Sequence, residues 1–169
     1  MTEIFSTADL VDDHPDAVVS VPLQFRQFGA VRAFSGRVVT VHSPGDNALL
    51  KQVLAQPGEG RVVVVDAEGS LAHCMLGDKM AATAAQNSWA GIIVVGAVRD
   101  VTALRQLPLG IKALGSNPAR PTKFGTGEVD VPITVSAVEI VPGQLIWSDD
   151  DGILVAPPDA DSLIRQPAG

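Results

Sequence analysis

The sequence predicts an α/β protein with a mixed sheet, and two features of its pattern support that prediction. In the first two thirds of the chain, apolar β-branched segments alternate with short amphipathic or alanine-rich segments, as in β-α-β units. In the last third, short apolar segments are separated by Pro-Gly and Asp-Gly turns, which indicates antiparallel hairpins. Hydrophobic residues make up 46% of the 169 residues and charged residues only 18%. We therefore expect one globular domain spanning residues 1–169, with an aliphatic core.

The first predicted elements precede the most informative part of the chain. The Pro57-Gly58 step ends an amphipathic helical pattern, and the strand after it is apolar throughout, as expected of a strand covered on both faces. In order, the predicted elements are a short helix starting at Thr7 as N-cap, a strand over residues 36–41, a helix over 46–56 capped by Asp46, and a strand over 61–66.

Residues 76–100, LGDKMAATAAQNSWAGIIVVGAVRD, organise the rest of the chain. Asp78 suits the N-cap of an alanine-rich helix over residues 80–85, and an Asn-Ser step ends that helix. A buried strand over residues 91–95 follows, with Arg99 and Asp100 just after it. Because a helix and a return strand bring their ends together, we predict that Asp78 and the Arg-Asp pair share one cleft.

The remaining elements are short. A helix over residues 101–107 is expected to stop at Pro108, and residues 116–130 are predicted to be a loop. The predicted strands are residues 110–114, 131–135, 138–140, 144–148 and 153–156, and a terminal helix is expected within 158–165.

Composition and residue spacing argue against several classes of function. A net charge of −7 without a Lys/Arg cluster argues against non-specific binding to nucleic acid. The single cysteine, Cys74, cannot form an intrachain disulfide, and the chain shows neither a signal-peptide pattern nor an apolar run of membrane-spanning length. We therefore expect a cytoplasmic protein that does not enter a membrane. The three histidines (His14, His42 and His73) lack metal-ligand spacing, which argues against a His/Cys zinc site.

The GD and RD steps, twenty residues apart in a glycine-rich frame, resemble the RraA family, the regulator-of-ribonuclease-activity-A-like proteins. The similarity extends to TADLVDD near the N-terminus, DNALLKQVL, GIKALGSNP and DDDGILVAP. The resemblance implies a layered α/β/β sandwich of the swivelling phosphohistidine-domain type with mixed sheets, assembled as a homotrimer. It also implies two branches: divalent-metal (Mg or Mn) 4-hydroxy-4-methyl-2-oxoglutarate aldolases, and regulators whose partner is a ribonuclease. Members have also been called menaquinone methyltransferases.

The aldolase branch releases pyruvate as its enolate, and the resemblance assigns residues to that task. Arg99 would grip the carboxylate of a small 2-oxo acid through its planar fork. The backbone N–H groups at the helix start would bind the same anion; they belong to Gly77, Asp78, Lys79 and Met80. Asp100 would hold the metal, and Asp78 would orient a water or relay a proton.

Plainer roles remain open for each of these residues. Arg99 is also suited to an exposed strand end, Asp100 to capping the helix at Val101, and Asp78 to capping the helix at Lys79. The acidic run Asp149–Asp151 is expected to be a solvated turn, and Lys123, Glu128 and Asp130 are taken as loop residues.

Two departures from the family pattern bear on the choice between its branches. Ala103 stands where aldolase-active relatives often have an acidic residue, and Gln144 stands where many members have Asp. Retention of Asp78, Arg99 and Asp100 favours a lyase that cleaves 4-hydroxy-4-methyl-2-oxoglutarate and decarboxylates oxaloacetate. Ala103 favours a non-catalytic regulator that inhibits an RNA-degrading endonuclease. A methyltransferase is the weakest reading, because no Gly-rich strand–turn–helix with a following acidic residue stands out.

Overall fold

The computed structural model describes residues 5–163 and shows a large mixed sheet with few helices. The helices are α1 (Thr7–Asp13), α2 (Ala48–Leu54), α3 (Asp78–Gln86) and α4 (Val101–Leu104), followed by a 3₁₀ turn at Ala160–Leu163. The strands are β1 (Val19–Ser20), β2 (Arg26–Gln27), β3 (Phe34–His42), β4 (Val62–Asp66), β5 (Cys74–Leu76), β6 (Gly91–Val98), β7 (Gly110–Ser116), β8 (Glu128–Val129), β9 (Ile133–Val135), β10 (Val138–Ile140), β11 (Leu145–Ser148) and β12 (Ile153–Ala156).

The sheet is parallel at its centre and antiparallel at its margins. Strands β3, β4, β6 and β7 run parallel in that order, and β5 adds to the end of β6. Antiparallel pairing extends the sheet through β11, β12 and β1 on one side and through β2 on the other. Strands β9 and β10 form a separate hairpin. The predicted α/β class with a mixed sheet is confirmed.

Strand β4 shows why the fold has three layers. Its valines alternate between two cores: Val63 and Val65 face the helices, and Val62 and Val64 face the hairpin side. Helices α2, α3 and α4 bury apolar residues on the first face, whereas β9, β10 and parts of β11 and β12 cover the second. Each fully buried valine stabilises the fold by roughly 1.5–3 kcal/mol, so the apolar run in β4 holds the layers together.

The predicted caps of α1, α2 and α3 were each wrong by one position. Ser6, not Thr7, caps α1, with its Oγ accepting from Asp9 N at 3.2 Å, because the Thr7 hydroxyl donates to Asp149 instead. The N-cap of α2 is Asn47 rather than Asp46, and that of α3 is Gly77 rather than Asp78. The carboxylates of Asp46 and Asp78 still accept from a backbone N–H at the start of these helices, from Ala48 N at 3.0 Å and Lys79 N at 2.8 Å.

Other differences concern short elements. Helix α4 ends at Leu104, three residues before the predicted limit, and continues as single turns to Leu107. Strands β1, β2, β5 and β8 were not predicted, because runs of two or three residues carry no periodic signal. The predicted terminal helix is a 3₁₀ turn as far as Leu163, and the rest of it lies outside the described residues. Among the helices of residues 5–163, none has the length and apolarity to span a bilayer.

Candidate functional site

Parallel pairing of β5 with β6 brings the GD and RD steps together. Leu76 pairs with Val98 at the carboxyl ends of the two strands, and Arg99 N donates to Leu76 O at 2.9 Å. The chain leaves β5 into α3 and leaves β6 into α4, so both steps lie at one edge of the sheet. Asp78 N then donates to Asp100 Oδ2 at 3.2 Å. The predicted proximity of Asp78, Arg99 and Asp100 is confirmed, whereas their roles remain predictions.

These residues line a cavity of about 300 Å³ whose charge is opposite to that of the protein. Five cationic side chains line it against two carboxylates, Asp78 and Asp100, although the whole chain carries −7. The cations are Lys51, Lys79, Arg99, Arg120 and Lys123. Such a concentration of positive charge in a concave site favours a small anion of more than one negative charge.

Asp100 is held in an unfavourable backbone conformation. Its φ of 60° and ψ of 40° lie in the left-handed region, which costs a non-glycine residue free energy. Its side chain makes no capping hydrogen bond to α4. The carboxylate is turned toward α3 instead, where Oδ2 accepts from Asp78 N and lies 3.8 Å from Arg99 Nε. The capping role left open for Asp100 therefore does not account for its side chain.

Arg99 is not an ordinary exposed strand-end residue. Its side chain is 34% exposed, lines the cavity, and donates from one terminal nitrogen to Pro118 O at 3.4 Å. The guanidinium thus lies at the cavity wall between the Asp100 carboxylate and the Pro118 carbonyl. Its planar fork is suited to pairing with a carboxylate through two parallel hydrogen bonds.

The start of α3 offers fewer donors to an anion than the sequence suggested. Asp78 N donates to Asp100, and Lys79 N donates to Asp78 Oδ1 at 2.8 Å. Two of the four N–H groups predicted to bind substrate are thus engaged by carboxylates in this structure. The side-chain cations around the cavity therefore become the main candidates for binding an anion.

Glycine at position 77 makes room for this arrangement. A Cβ built on Gly77 would lie 2.9 Å from Asp100 Oδ2 and 3.6 Å from Arg99 Nε. Its φ of −126° is available to any residue, so space and not backbone conformation requires glycine here.

The sequence did not identify six of the lining residues. Asn47 and Lys51 are the N-cap and a middle residue of α2, Cys74 begins β5, and the other three, Arg120, Pro121 and Lys123, come from an irregular segment far away in sequence. Asn47 Nδ2 donates to Met75 O at 3.2 Å, which ties α2 to the strand preceding Gly77. The sequence predicts Lys123 only as a loop residue, because nothing in its neighbours shows that it faces the cavity.

The acidic run near the last hairpin is part of the framework. The expectation of a solvated turn is wrong for Asp149, whose carboxylate accepts from Thr7 N and Thr7 Oγ1, both at 2.7 Å. Burial alone would raise the pKa of Asp149, but hydrogen bonds from Thr7, Asp151 and Gly152 outweigh it and lower that pKa. The buried ammonium of Lys112 donates to the Asp149 carbonyl, and burial lowers the pKa of Lys112.

The donor set fits one class of metal ion. No group of three or more His, Cys, Asp or Glu side chains suited to a metal ion occurs in residues 5–163. Asp78 and Asp100 nevertheless present two carboxylates to the same cavity, and Mg²⁺ or Mn²⁺ retains several waters and needs few protein oxygens. Burial raises the pKa of the Cys74 thiol at the cavity, which disfavours a thiolate ligand. The residues present therefore fit a hydrated, oxygen-liganded divalent ion.

Comparison with known proteins gives consistent matches over most of the chain. The family model described as RraA-like, Aldolase/RraA, matches residues 7–155. The RNA-processing inhibitor RraA from Thermus thermophilis is 43% identical with a TM-score of 0.88, covering 91% of this chain and 93% of that one. A Geobacillus kaustophilus protein described as an S-adenosylmethionine:2-dimethylmenaquinone methyltransferase is 36% identical with a TM-score of 0.89, covering 94% and 98%. Streptomyces coelicolor RraAS2, described as an unusual member of the RNase ES inhibitor RraA family, is 27% identical with a TM-score of 0.75, covering 95% and 84%.

Proposed function

The chain belongs to the RraA-like family, and from this membership and the geometry of the cavity we propose that it is a metal-dependent lyase. Its substrates are short 2-oxo acids: it cleaves 4-hydroxy-4-methyl-2-oxoglutarate to release pyruvate and decarboxylates oxaloacetate. The observation that carries the proposal is the convergence of Arg99 and Asp100 on one cation-rich cavity. Both reactions pass through the enolate of pyruvate, so one site serves both.

Each residue has a separate task. The Arg99 guanidinium binds the carboxylate next to the 2-oxo group and so fixes the orientation of the bond to be broken. Asp100, whose carboxylate already faces Asp78, is the residue that would hold Mg²⁺ or Mn²⁺. When bound, the ion supplies positive charge where the enolate oxygen develops. Asp78 orients the water that carries the proton, since its carboxylate lies at the same cavity and is fixed by Lys79 N.

The two reactions require different catalytic groups from the protein. Decarboxylation of oxaloacetate needs a held carboxylate and a stabilised enolate. Aldol cleavage also needs a proton to be removed from a tertiary hydroxyl. Ala103 lies in α4, one turn beyond Asp100, and offers no acid or base for that proton. We therefore expect decarboxylation to be the faster of the two activities.

Pyruvate release from each substrate, with and without Mg²⁺ or Mn²⁺, tests the proposal. We expect a rate with protein and metal that exceeds the rate with metal alone, and a return to the metal-independent background after chelation. No rate above the metal-only control on either substrate would contradict the lyase.

A regulator is the second candidate, favoured by Ala103 and by the 43% identity to the Thermus RNA-processing inhibitor. In that case the protein binds an RNA-degrading endonuclease and lowers its activity without turnover of its own. The net charge of −7 suits a basic, RNA-binding partner surface. Titrating the protein into an endonuclease assay would show inhibition that saturates at a fixed ratio, and an unchanged RNA cleavage rate would contradict this candidate.

A further inference from the structure

One wall of the cavity is an irregular stretch of chain, residues 117–125, which we call the wall segment. It carries Arg120 and Lys123, two of the five cations that line the cavity. Its first half is attached to the edge of the sheet: Asn117 N donates to Val98 O at 3.0 Å and Cys74 N donates to Ala119 O at 2.9 Å.

The second half of the wall segment is attached to a buried carboxylate. Asp46 is completely buried, and its Oδ2 accepts from Thr122 Oγ1 at 2.8 Å and from Phe124 N at 2.6 Å. Its Oδ1 accepts from Gly125 N at 3.2 Å and from Ala48 N at 3.0 Å. Three of these four donors belong to the wall segment, and only one belongs to the start of α2.

Apolar packing does not explain the position of this half. Phe124, its large apolar side chain, is 85% exposed, so it contributes little burial. Two backbone hydrogen bonds lie beside the same carboxylate: Thr122 N donates to Gly45 O at 2.9 Å, and Asn47 N donates to Thr122 O at 3.2 Å. Burial of Asp46 would raise its pKa, but the hydrogen bonds to its carboxylate outweigh that effect and lower it, so the group stays charged near neutral pH.

We propose that Asp46 is a positioning residue, whose buried carboxylate holds the wall segment so that Arg120 and Lys123 stay at the cavity. The inference rests on the proposed function for its kinetic consequence, since the two cations would bind the anionic substrate. Asp46 acts through the wall segment and does not itself line the cavity. Loss of its charge therefore weakens substrate binding more than it slows the chemical step.

Asp46→Asn is the direct test, because it keeps the shape and replaces one acceptor oxygen by a donor. That donor faces hydrogen-bond donors of the wall segment whichever way the amide is turned. Asp66→Asn is the matched control: Asp66 is also buried and also accepts a backbone N–H, from Glu68 at 2.8 Å, but it does not line the cavity or contact the wall segment. Thr122→Val removes one of the four hydrogen bonds and should have a smaller effect.

The first readout is kinetic, with oxaloacetate and saturating Mg²⁺. We expect Asp46→Asn to raise KM about tenfold with kcat changed less than about threefold, Thr122→Val to raise KM less, and Asp66→Asn to leave KM unchanged. A KM for Asp46→Asn equal to that of wild type or of Asp66→Asn would overturn the proposal.

The second readout does not depend on activity. Trypsin does not cleave between Arg120 and Pro121, so cleavage between Lys123 and Phe124 reports release of the wall segment. We expect that bond to be cut faster in Asp46→Asn than in wild type or Asp66→Asn, with cleavage after Arg61 and Arg105 unchanged. If wild type shows no turnover, the proposed function fails, and the cleavage experiment alone tests the role of Asp46. Equal cleavage after Lys123 in wild type, Asp46→Asn and Asp66→Asn would overturn the proposal that Asp46 positions the wall segment.

Discussion

Substituting Gly77 by alanine tests whether the cavity depends on the placement of the Asp100 carboxylate. The added methyl would lie 2.9 Å from Asp100 Oδ2, whereas ordinary contacts of a Cβ are 3.4 Å or more, so the carboxylate must move by several tenths of an ångström. The backbone of Asp100 is tied to α4 through Leu104 N at 3.0 Å, and therefore the side chain swings away from Asp78 N. Because a misplacement of about 1 Å can cost roughly a hundredfold in rate, we expect kcat/KM to fall ten- to a hundredfold, or about 1.4–2.7 kcal/mol.

The assay is oxaloacetate decarboxylation with saturating Mg²⁺, combined with thermal unfolding. Stability should change by no more than about 1 kcal/mol, because alanine tolerates this backbone and is only a poorer N-cap than glycine. Gly115→Ala is the control: its Cβ would meet the flexible Leu71 side chain at 3.4 Å, away from the cavity, and activity should be unchanged. A Gly77→Ala variant with kcat/KM within twofold of wild type would refute the reasoning.

Two further predictions follow from the structure, and a third, on assembly, follows from the resemblance to the family. Arg99→Lys keeps the charge but loses the planar fork, so kcat/KM for oxaloacetate should fall about a hundredfold, and near wild-type kinetics would contradict the carboxylate grip. Asp149→Asn should make the free energy of unfolding fall less as the pH is lowered. The pKa of Asp149 is lowered in the folded state, so its carboxylate stabilises the fold above the ordinary carboxyl pKa of 3.8. That stabilisation is lost as the pH falls from there through the lower folded value. Urea unfolding between pH 6 and 3 measures this, and equal acid sensitivity in both proteins would contradict it. We also expect a homotrimer, and light scattering that gave a stable 17.6 kDa monomer at micromolar concentration would contradict that assembly.

The elements with strong periodic signals were predictable, and those held by tertiary contacts were not. The apolar run in β4 and the alanine-rich part of α3, residues 81–85, are both where the pattern placed them. Strand β5 was missed because its three residues become a strand only by pairing with the end of β6. The caps were displaced because Thr7 and Asp46 bind partners distant in sequence, Asp149 and the wall segment.

In the candidate site, too, some residues were predictable from the sequence and others were not. Spacing alone indicated that Asp78 and Arg99-Asp100 meet, because a helix and a return strand must bring their ends together. Spacing gave no sign of Arg120 or Lys123, whose segment is held at the cavity by contacts distant in sequence, including the hydrogen bonds to Asp46 from 76 or more positions away in the chain. The left-handed backbone of Asp100 was equally invisible, since it is set by the turn from β6 into α4.

The most direct test of the central claim compares wild type with Asp100→Asn on oxaloacetate at saturating Mg²⁺ or Mn²⁺. The variant keeps the size of the side chain and an oxygen that can accept from Asp78 N, but it removes the anionic charge that would hold the metal. We predict that wild type exceeds the metal-only rate, that chelation abolishes the excess, and that Asp100→Asn lowers it by roughly 10²–10³ with unchanged thermal stability. An excess rate that survives in Asp100→Asn would contradict the assigned site, and no excess in wild type would contradict the lyase itself.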